Sequence, residues 1–474
     1  MNEDYCREIK FKCGLEIHNR LKGKKLFCSC PAVFSEKGFV RINRKLRPVV
    51  GETNKIDVAA QFEFLKNREF VYRVFSDASC LVEMDEEPPH KVNKDALYAG
   101  IQIAKMLKAD IPQEIHVMRK TVIDGSNTSG FQRTMLVGLN GVLETSLGVV
   151  RISNICLEEE SAGIIKKSEK MAEYRLDRLG MPLIEIGTEP DIKTPEHAKE
   201  VAEKIGMIIR STGRSQRGIG TIRQDINISI NNGPRVELKG VQDIDLLPKI
   251  IENEIKRQLA GNVKEETRVT NPDGTSSYTR PLPGAERMYP ETDVPAILIE
   301  DEFLKSVKIP ETLEEKLMKL KKVLPEEIAV QILKSEYLSV FEKIDYEPVV
   351  VANTFVSVLK SLRRDGFEID KINDEDFVFL FDSIKKGKLS KEAIPAVLEN
   401  VCKGLTMAEA IEKTGGIVSD SELRKIIEDV IKKNRKLAEE KRVSALMGDI
   451  MKIVRGRADG KKVAKILNEM LKGK

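Results

Sequence analysis

Between Glu114 and Asp191 the chain crowds cations, small polar residues and carboxylates into one span. It opens with His116-Val117-Met118-Arg119-Lys120, runs through Asp124-Gly125-Ser126-Asn127-Thr128-Ser129-Gly130-Phe131-Gln132-Arg133, and later presents Glu158-Glu159-Glu160 and Pro182-Leu183-Ile184-Glu185-Ile186. Arg119 and Lys120 suit phosphate oxygens. The loop after them, with Ser126 and Asn127, offers backbone N–H groups and polar side chains to the same kind of ligand. The carboxylates suit a metal ion. Glu185 is the sharpest of them, because an ionised carboxylate flanked by Leu183, Ile184 and Ile186 needs a cation or hydrogen bonds to offset its burial. In Gly14-Leu15-Glu16-Ile17-His18 the two-residue spacing puts Glu16 and His18 on one strand face, where they could share a metal; taken alone, such a pair reads better as a hydrogen-bonded core histidine. Oxygen-rich ligands with one imidazole favour Mg²⁺ or Mn²⁺ over Zn²⁺.

Several regular elements must position these groups. Thr221 to Ile230 alternates strictly, with Ile222, Ile226, Ile228 and Ile230 on one face and Arg223, Asp225, Asn227 and Ser229 on the other; Arg235 to Lys239 alternates as well. A three-residue Asn231-Asn232-Gly233 loop pairs Asn227 with Glu237 and Asp225 with Lys239, aligning the polar sides, with Gly233 expected in the left-handed position. Val149 to Leu157 reads as a strand leading into the glutamate run. Thr194 caps a predicted helix with Pro195 at its first position, an apolar stripe of Ala198, Val201, Ala202, Ile205, Ile208 and Ile209, and Gly213 as its stop; His197 is expected on the exposed first turn. No Gly-x4-Gly-Lys-Ser/Thr motif occurs, and Gly218-Ile219-Gly220 leads into a strand, so a nucleotide must bind without either common phosphate loop. Cys28-Ser29-Cys30, with Cys80 or Cys13, matches common structural zinc sites poorly, and reduced thiols are the expectation. No Ser/His/Asp or Cys/His nucleophile arrangement is evident.

The 474 residues allow two to four domains. Charged residues at 32% and apolar ones at 41% fit a globular chain. No apolar run approaches a membrane span and the first residues form no signal sequence, so a cytoplasmic protein without a membrane partner is expected. Residues 1 to about 300 read as mixed strands and helices and the remainder as helices, with a junction dense in breakers from Asn271-Pro272-Asp273-Gly274 to Pro295. Leu313 to Val323 and Glu326 to Ser335 read as packed helices. A second break near Thr414-Gly415-Gly416 precedes a helix capped by Ser419 or Ser421 and running to about Lys436. From Ser421 onward 16 Lys/Arg face 8 Asp/Glu, so the basic charge of a chain with net +4 sits in its tail. That distribution suits a phosphate backbone or simply a solvated helical face.

At these residues the chain resembles the E subunit of archaeal glutamyl-tRNA(Gln) amidotransferase, a relative of the bacterial B subunit of aspartyl/glutamyl-tRNA amidotransferase. The resemblance runs through Gly14 to His18, Leu26 to Cys30, Cys80 to Pro89, Met118 to Thr134, Tyr174 to Gly180, Pro182 to Asp191, Gly218 to Ile230 and Arg287-Met288-Tyr289-Pro290-Glu291-Thr292-Asp293; the Asp124 to Gln132 loop is of the E type. It implies an α+β fold: a mixed or antiparallel-sheet catalytic cradle (1–303), an all-α domain (304–410) and a small helical tail similar to the YqeY family (411–474) that contacts tRNA. It further implies ATP-dependent phosphorylation of the side-chain carboxylate of Glu-tRNA(Gln), then amidation by ammonia from an asparaginase-like D subunit, with Mg²⁺ as cofactor. By the same resemblance His18, Glu159 and Glu185 would hold the metal, with Glu16 and Glu158 beside it. Arg119 and Lys120 would stabilise phosphate, Gln132 and Arg223 would assist, and Asp225 and Lys239 would line the cavity with Asn227 and Glu237. In a straight strand Glu158 and Glu160 would share one face and Glu159 the other, so the assignment of Glu159 rests on the resemblance. One departure stands out. The inserted domain usual before the Arg287 segment is missing, and only residues from roughly Asn262 to Arg287 take its place. Alternatives are a B-type enzyme that also amidates aspartyl-tRNA, and a non-catalytic tRNA-binding scaffold.

Overall fold

The computed structural model describes the whole chain except residues 52–53, 217, 219, 262, 312, 415–419, 436–441, 455–459 and 473–474. It divides into two compact units, Met1–Glu311 and Thr312–Lys474. The first carries sixteen described strands: β1 (Lys12–Arg20), β2 (Val40–Arg44), β3 (Glu69–Val74), β4 (Glu114–Ile115), β5 (Val117–Thr121), β6 (Phe131–Thr145), β7 (Gly148–Glu159), β8 (Gly163–Lys167), β9 (Met171–Arg175), β10 (Pro182–Thr188), β11 (Ile222–Ser229), β12 (Val236–Val241), β13 (Glu266–Thr270), β14 (Ser276–Pro281), β15 (Met288–Pro290) and β16 (Ile297–Leu298). Ten of them form one sheet in the order β14-β13-β12-β11-β1-β10-β7-β6-β5-β15, antiparallel except between β12 and β13.

Helices α1 to α5 of this unit run from Glu3–Glu8 through Val58–Leu65, Lys94–Met106 and Pro195–Ser211 to Leu247–Leu259, and three of them cover one face of the sheet: α3 lies on β6 and β7, α4 on β1, and α5 on β11. The alternation seen in the sequence supplies that face. Leu15 and Ile17 of β1, Ile155 and Leu157 of β7, Ile184 and Ile186 of β10 and Ile226 and Ile228 of β11 are all buried. Each such side chain stabilises the fold by roughly 1.5–3 kcal/mol, which anchors a sheet whose other face is charged. Helix α4 forms as its signals dictate: Thr194 accepts from the N–H of His197, Pro195 stands at the first turn, and Gly213 takes a φ of +69° just past the end.

Three expectations change. His197 is 2% exposed rather than on the surface, because the end of β6 covers the start of α4; its ring lies 2.8 Å from the Thr145 hydroxyl and accepts from the Lys193 N–H at 3.1 Å. The β11–β12 register is the expected one at Asn227 opposite Glu237, but a bulge in β12 takes Asp225 and Lys239 out of direct pairing, and the left-handed turn residues are Asn231 and Asn232, not Gly233. The breakers from Asn271 onward are no junction: Asn271 to Gly274 form the turn of the β13–β14 hairpin, which extends the large sheet.

A four-stranded sheet, β2-β3-β9-β8, has its own core of Phe70, Tyr72, Val74, Tyr174 and Leu176. The second unit is helical throughout its described elements, beginning with Leu313–Lys321 and Glu326–Lys334 as expected. Its last three described helices, Asp420–Lys433, Val443–Val454 and Gly460–Lys472, share a separate core that includes Leu423, Ile427, Leu446, Ile450, Val463 and Leu467. The expected cap Ser419 and the Gly415-Gly416 break lie outside the described residues, and Ser421 falls inside the helix. No described helix is long and apolar enough to cross a membrane.

Candidate active site

The face of the large sheet opposite the helices opens into a cleft of about 480 Å³. Strand register assembles it: Glu16 stands opposite Asp225, His18 opposite both Glu185 and Arg223, Lys120 opposite Gln132, and Asn227 opposite Glu237. Residues far apart in sequence thereby share one face, and all of these line the cleft together with Glu158, Ser126 and Lys239.

At its centre the donor atoms of Glu16, His18 and Glu185 lie within 4.8 Å of one another. His18 Nε2 is 3.1 Å from Glu185 Oε2, while its Nδ1 is buried without a hydrogen-bond partner. Lys120 Nζ lies 2.6 Å from Glu158 and 3.6 Å from Glu185. Burial by itself would raise the Glu185 pKa; Lys120 and His18 outweigh it and hold the carboxyl well below its ordinary range. Burial raises Glu16, the carboxylate of this centre most ready to hold a proton. Gln132 donates to Glu158 at 3.0 Å, and Asn227 to Glu16 at 3.1 Å.

A second carboxylate set, Glu16, Asp225 and Glu237, surrounds Lys239, whose ammonium is 2.8 Å from Asp225 and 2.6 Å from Glu237. A bulge in β12 sets Lys239 and Gly240 opposite Asp225, and the N–H of Gly240, at a φ of +85°, donates to the other carboxylate oxygen at 3.0 Å. Here the cation is built into the protein. At the rim, Arg235, Arg280 and Arg287 make no side-chain hydrogen bond or ion pair to any described residue. Three uncommitted guanidiniums are an anion-binding feature.

Several expected site residues lie elsewhere. Glu159 points to the opposite face, where Arg133 binds it through its backbone N–H at 3.2 Å and its guanidinium at 3.4 Å. Arg119 faces the same way and is held by Glu291 at 2.5 Å and Asp293 at 3.1 Å, over the Phe131 ring. The reason is strand alternation: Lys120 and Glu158 face the cleft, so their neighbours Arg119 and Glu159 cannot. Glu160, past the end of β7, is taken up by Arg223 at 3.0 Å. In the Asp124–Gly130 loop Ser126 lines the cleft, but Asn127 is buried away from it. Part of the loop's polarity is spent on itself: Asp124 accepts from the Ser126 N–H and hydroxyl, and Gly130 N–H donates to Asn127. Arg280 and Arg287 carried no role in the sequence; the only signal was that Arg287 heads a motif.

Cys28, Cys30 and Cys80 gather with Glu83, while Cys13 belongs to the core of β1. Cys28 donates to Glu83 at 2.9 Å, and Lys25 lies 3.6 Å from the same carboxylate. The neighbouring Cys28 lowers the Cys30 thiol to about 7.

Paired carboxylates with an imidazole, a buried lysine and free guanidiniums define a group-transfer centre for anionic substrates on an open mixed sheet. The comparisons with known proteins make that class particular. The family model described as the GatB/GatE catalytic domain matches residues 11–305, and that of the GatB domain of YqeY type matches 336–471. The E subunit of glutamyl-tRNA(Gln) amidotransferase from Archaeoglobus fulgidus is 37% identical, covering 90% of this chain and 92% of the relative. Its counterpart from Methanocaldococcus jannaschii is 35% identical over 90% and 92%, and that from Methanococcus vannielii 34% over 92% and 93%. The chain belongs to the GatB/GatE family, within its group of glutamyl-tRNA(Gln) amidotransferase E subunits. The alignment with the first relative spans 570 positions, more than the 474 residues here, so that relative carries inserted residues with no counterpart in this chain.

Proposed function

We propose that this cleft phosphorylates the side-chain carboxylate of a glutamate esterified to tRNA(Gln), using ATP, and then amidates it with ammonia delivered by an asparaginase-like partner subunit. The observation that carries the reading is the convergence of Glu16, His18, Glu185 and Lys120 at the floor of a cleft rimmed by uncommitted arginines. The two-step route follows from chemistry: a carboxylate is a poor electrophile, and phosphorylation turns one of its oxygens into a leaving group.

The donor set fits a hard divalent cation such as Mg²⁺, for two carboxylates and one imidazole converge and His18 Nδ1 is buried without a partner. Glu16, His18 and Glu185 would hold it, in place of the set that includes Glu159. Bound there, it would screen the nucleotide's phosphates from the incoming carboxylate. The chain's own groups do the rest. Arg280, Arg287 and Arg235 receive the polyphosphate; Lys120, fixed by Glu158, stabilises charge on the transferred phosphoryl group. When ammonia adds to the acyl phosphate carbonyl, the C–O bond to phosphate breaks and the excess proton of the nitrogen leaves with the inorganic phosphate. Gln132 and Asn227 hold Glu158 and Glu16 in place, and Lys239 keeps Asp225 and Glu237 from repelling the substrate. A finer division of the chain into a cradle (1–303), a helical domain (304–410) and a tRNA-contacting tail (411–474) belongs to the same proposal.

The test incubates the protein with Mg²⁺, γ-labelled ATP and Glu-tRNA(Gln) or uncharged tRNA, with and without ammonium and with the partner subunit added separately. Label release that needs charged tRNA, and Gln-tRNA formed once ammonium is present, is the expected result. Intact ATP even with the partner present would leave a tRNA-binding scaffold.

A further inference from the structure

Behind the Asp124–Gly130 loop lies a second cavity of about 350 Å³, a size at which small-molecule sites begin, roughly 300 Å³ and upward. Only one thickness of chain separates it from the cleft: Val122 and Asp124 face the cleft, and Ile123 between them lines the cavity. Its floor is Phe70, whose ring occupies the space a Cβ on Gly125 would need, 2.2 Å away. On its wall Phe64 keeps 44% of its surface exposed. Lys45 and Arg47 at its edge are exposed and make no bond to any described residue. The single acid lining it, Glu63, is neutralised by Lys66 at 2.6 Å and Arg68 at 3.3 Å.

We propose that this cavity binds a nucleotide, its base against Phe64 and its phosphate on Lys45 and Arg47. An open aromatic face beside unpaired cations is the combination that holds an unpaired base and its backbone. The ligand could be a free nucleotide or one unit of single-stranded RNA. The course of the chain favours RNA: Asp57, which caps the helix bearing Phe64, accepts from the Gly284 N–H at 2.8 Å, beside Leu282 and Pro283 at the cleft rim. A strand seated in the cavity would thus run toward the reaction centre. The inference rests on the function proposed above only for where the RNA comes from.

The experiment measures binding of a fluorescent single-stranded RNA hexamer and of a fluorescent ATP analogue to the full chain. It compares Phe64→Ala, the double variant Lys45→Ala/Arg47→Ala, and Glu185→Gln in the cleft. The altered cavity side chains are exposed, so the variants are expected to fold, which thermal melts check. RNA affinity is expected to fall about tenfold or more in both cavity variants, with a flatter salt dependence in the double variant, and to hold in Glu185→Gln. Loss of ATP analogue binding instead would make the ligand a free nucleotide. Unchanged affinity for both probes, or no binding of either by the unaltered protein, overturns the proposal. An RNA affinity that depends on Phe64 in a protein that amidates nothing would overturn the proposed function and leave this site standing.

Discussion

Glu158 and Glu159 are neighbours in the chain, yet the thickness of the sheet divides them. On one side Glu158 meets Lys120 and Gln132 at the floor of an open cleft; on the other Glu159 is locked against Arg133, which with Arg119 is clamped by Glu291 at 2.7 Å and 2.5 Å. Both faces bury charge, but they dispose of it differently. The closed face pairs its cations and carboxylates with one another, as a buried charge must to remain tolerable. The open face leaves three rim arginines without hydrogen-bond or ion-pair partners among the described residues, and such unfinished pairing is what a substrate can complete.

Breaking the open face should cost turnover and not the fold. Glu185→Ala is expected to lower Gln-tRNA formation on the order of 10³-fold, in a protein that still folds cooperatively although it loses the pairing of Glu185 with Lys120 and His18; retained activity would move the reaction centre elsewhere. Breaking the closed face should do the reverse. Glu159→Gln is expected to lower stability in denaturant titration by about 1–3 kcal/mol, the cost of weakening buried charge-assisted bonds, with little change in rate per folded molecule. A large loss of rate at unchanged stability would show Glu159 turning into the cleft during catalysis, and the contrast between the faces would dissolve.

A pH test sharpens the comparison. Burial opposes ionisation of Asp225, but Lys239 and then His18 outweigh it and lower the carboxyl from its ordinary 3.8 to about 2. Its stabilising contribution, roughly 2 kcal/mol at most, is complete above pH 3.8 and disappears as pH falls toward 2. Stability curves of the unaltered protein should therefore drop more steeply across that window than those of Asp225→Asn; parallel curves would mean Lys239 is not its partner in solution. The smallest effects belong to the rim. Arg280→Ala and Arg287→Ala should each raise the KM for ATP or tRNA by about tenfold, the scale of one lost charge-assisted hydrogen bond, with stability unchanged.

Much of the scaffold was legible from period-2 alternation and capping chemistry. The Asn227–Glu237 register, helix Pro195–Ser211 and the helical second unit follow from local signals, and Glu185 stood out because a charge in an apolar strand needs a partner. The partner itself was harder to read. Arg119 looked like a phosphate ligand because of its neighbours in sequence, whereas Glu291, which holds it, lies 172 residues away on the chain. His197 looked exposed because its own helix turn is polar; the covering strand is distant in sequence.

The sequence by itself determined which residues alternate, where the α4 helix begins and ends, and that Glu16, His18 and Glu185 ride on strands, since these follow from contacts between near neighbours. Only the tertiary structure decided which face each charged side chain meets and which counterion it finds. Those outcomes depend on the register between strands that come together from opposite ends of the first unit, and a single-residue step along a strand exchanges the cleft for the closed face.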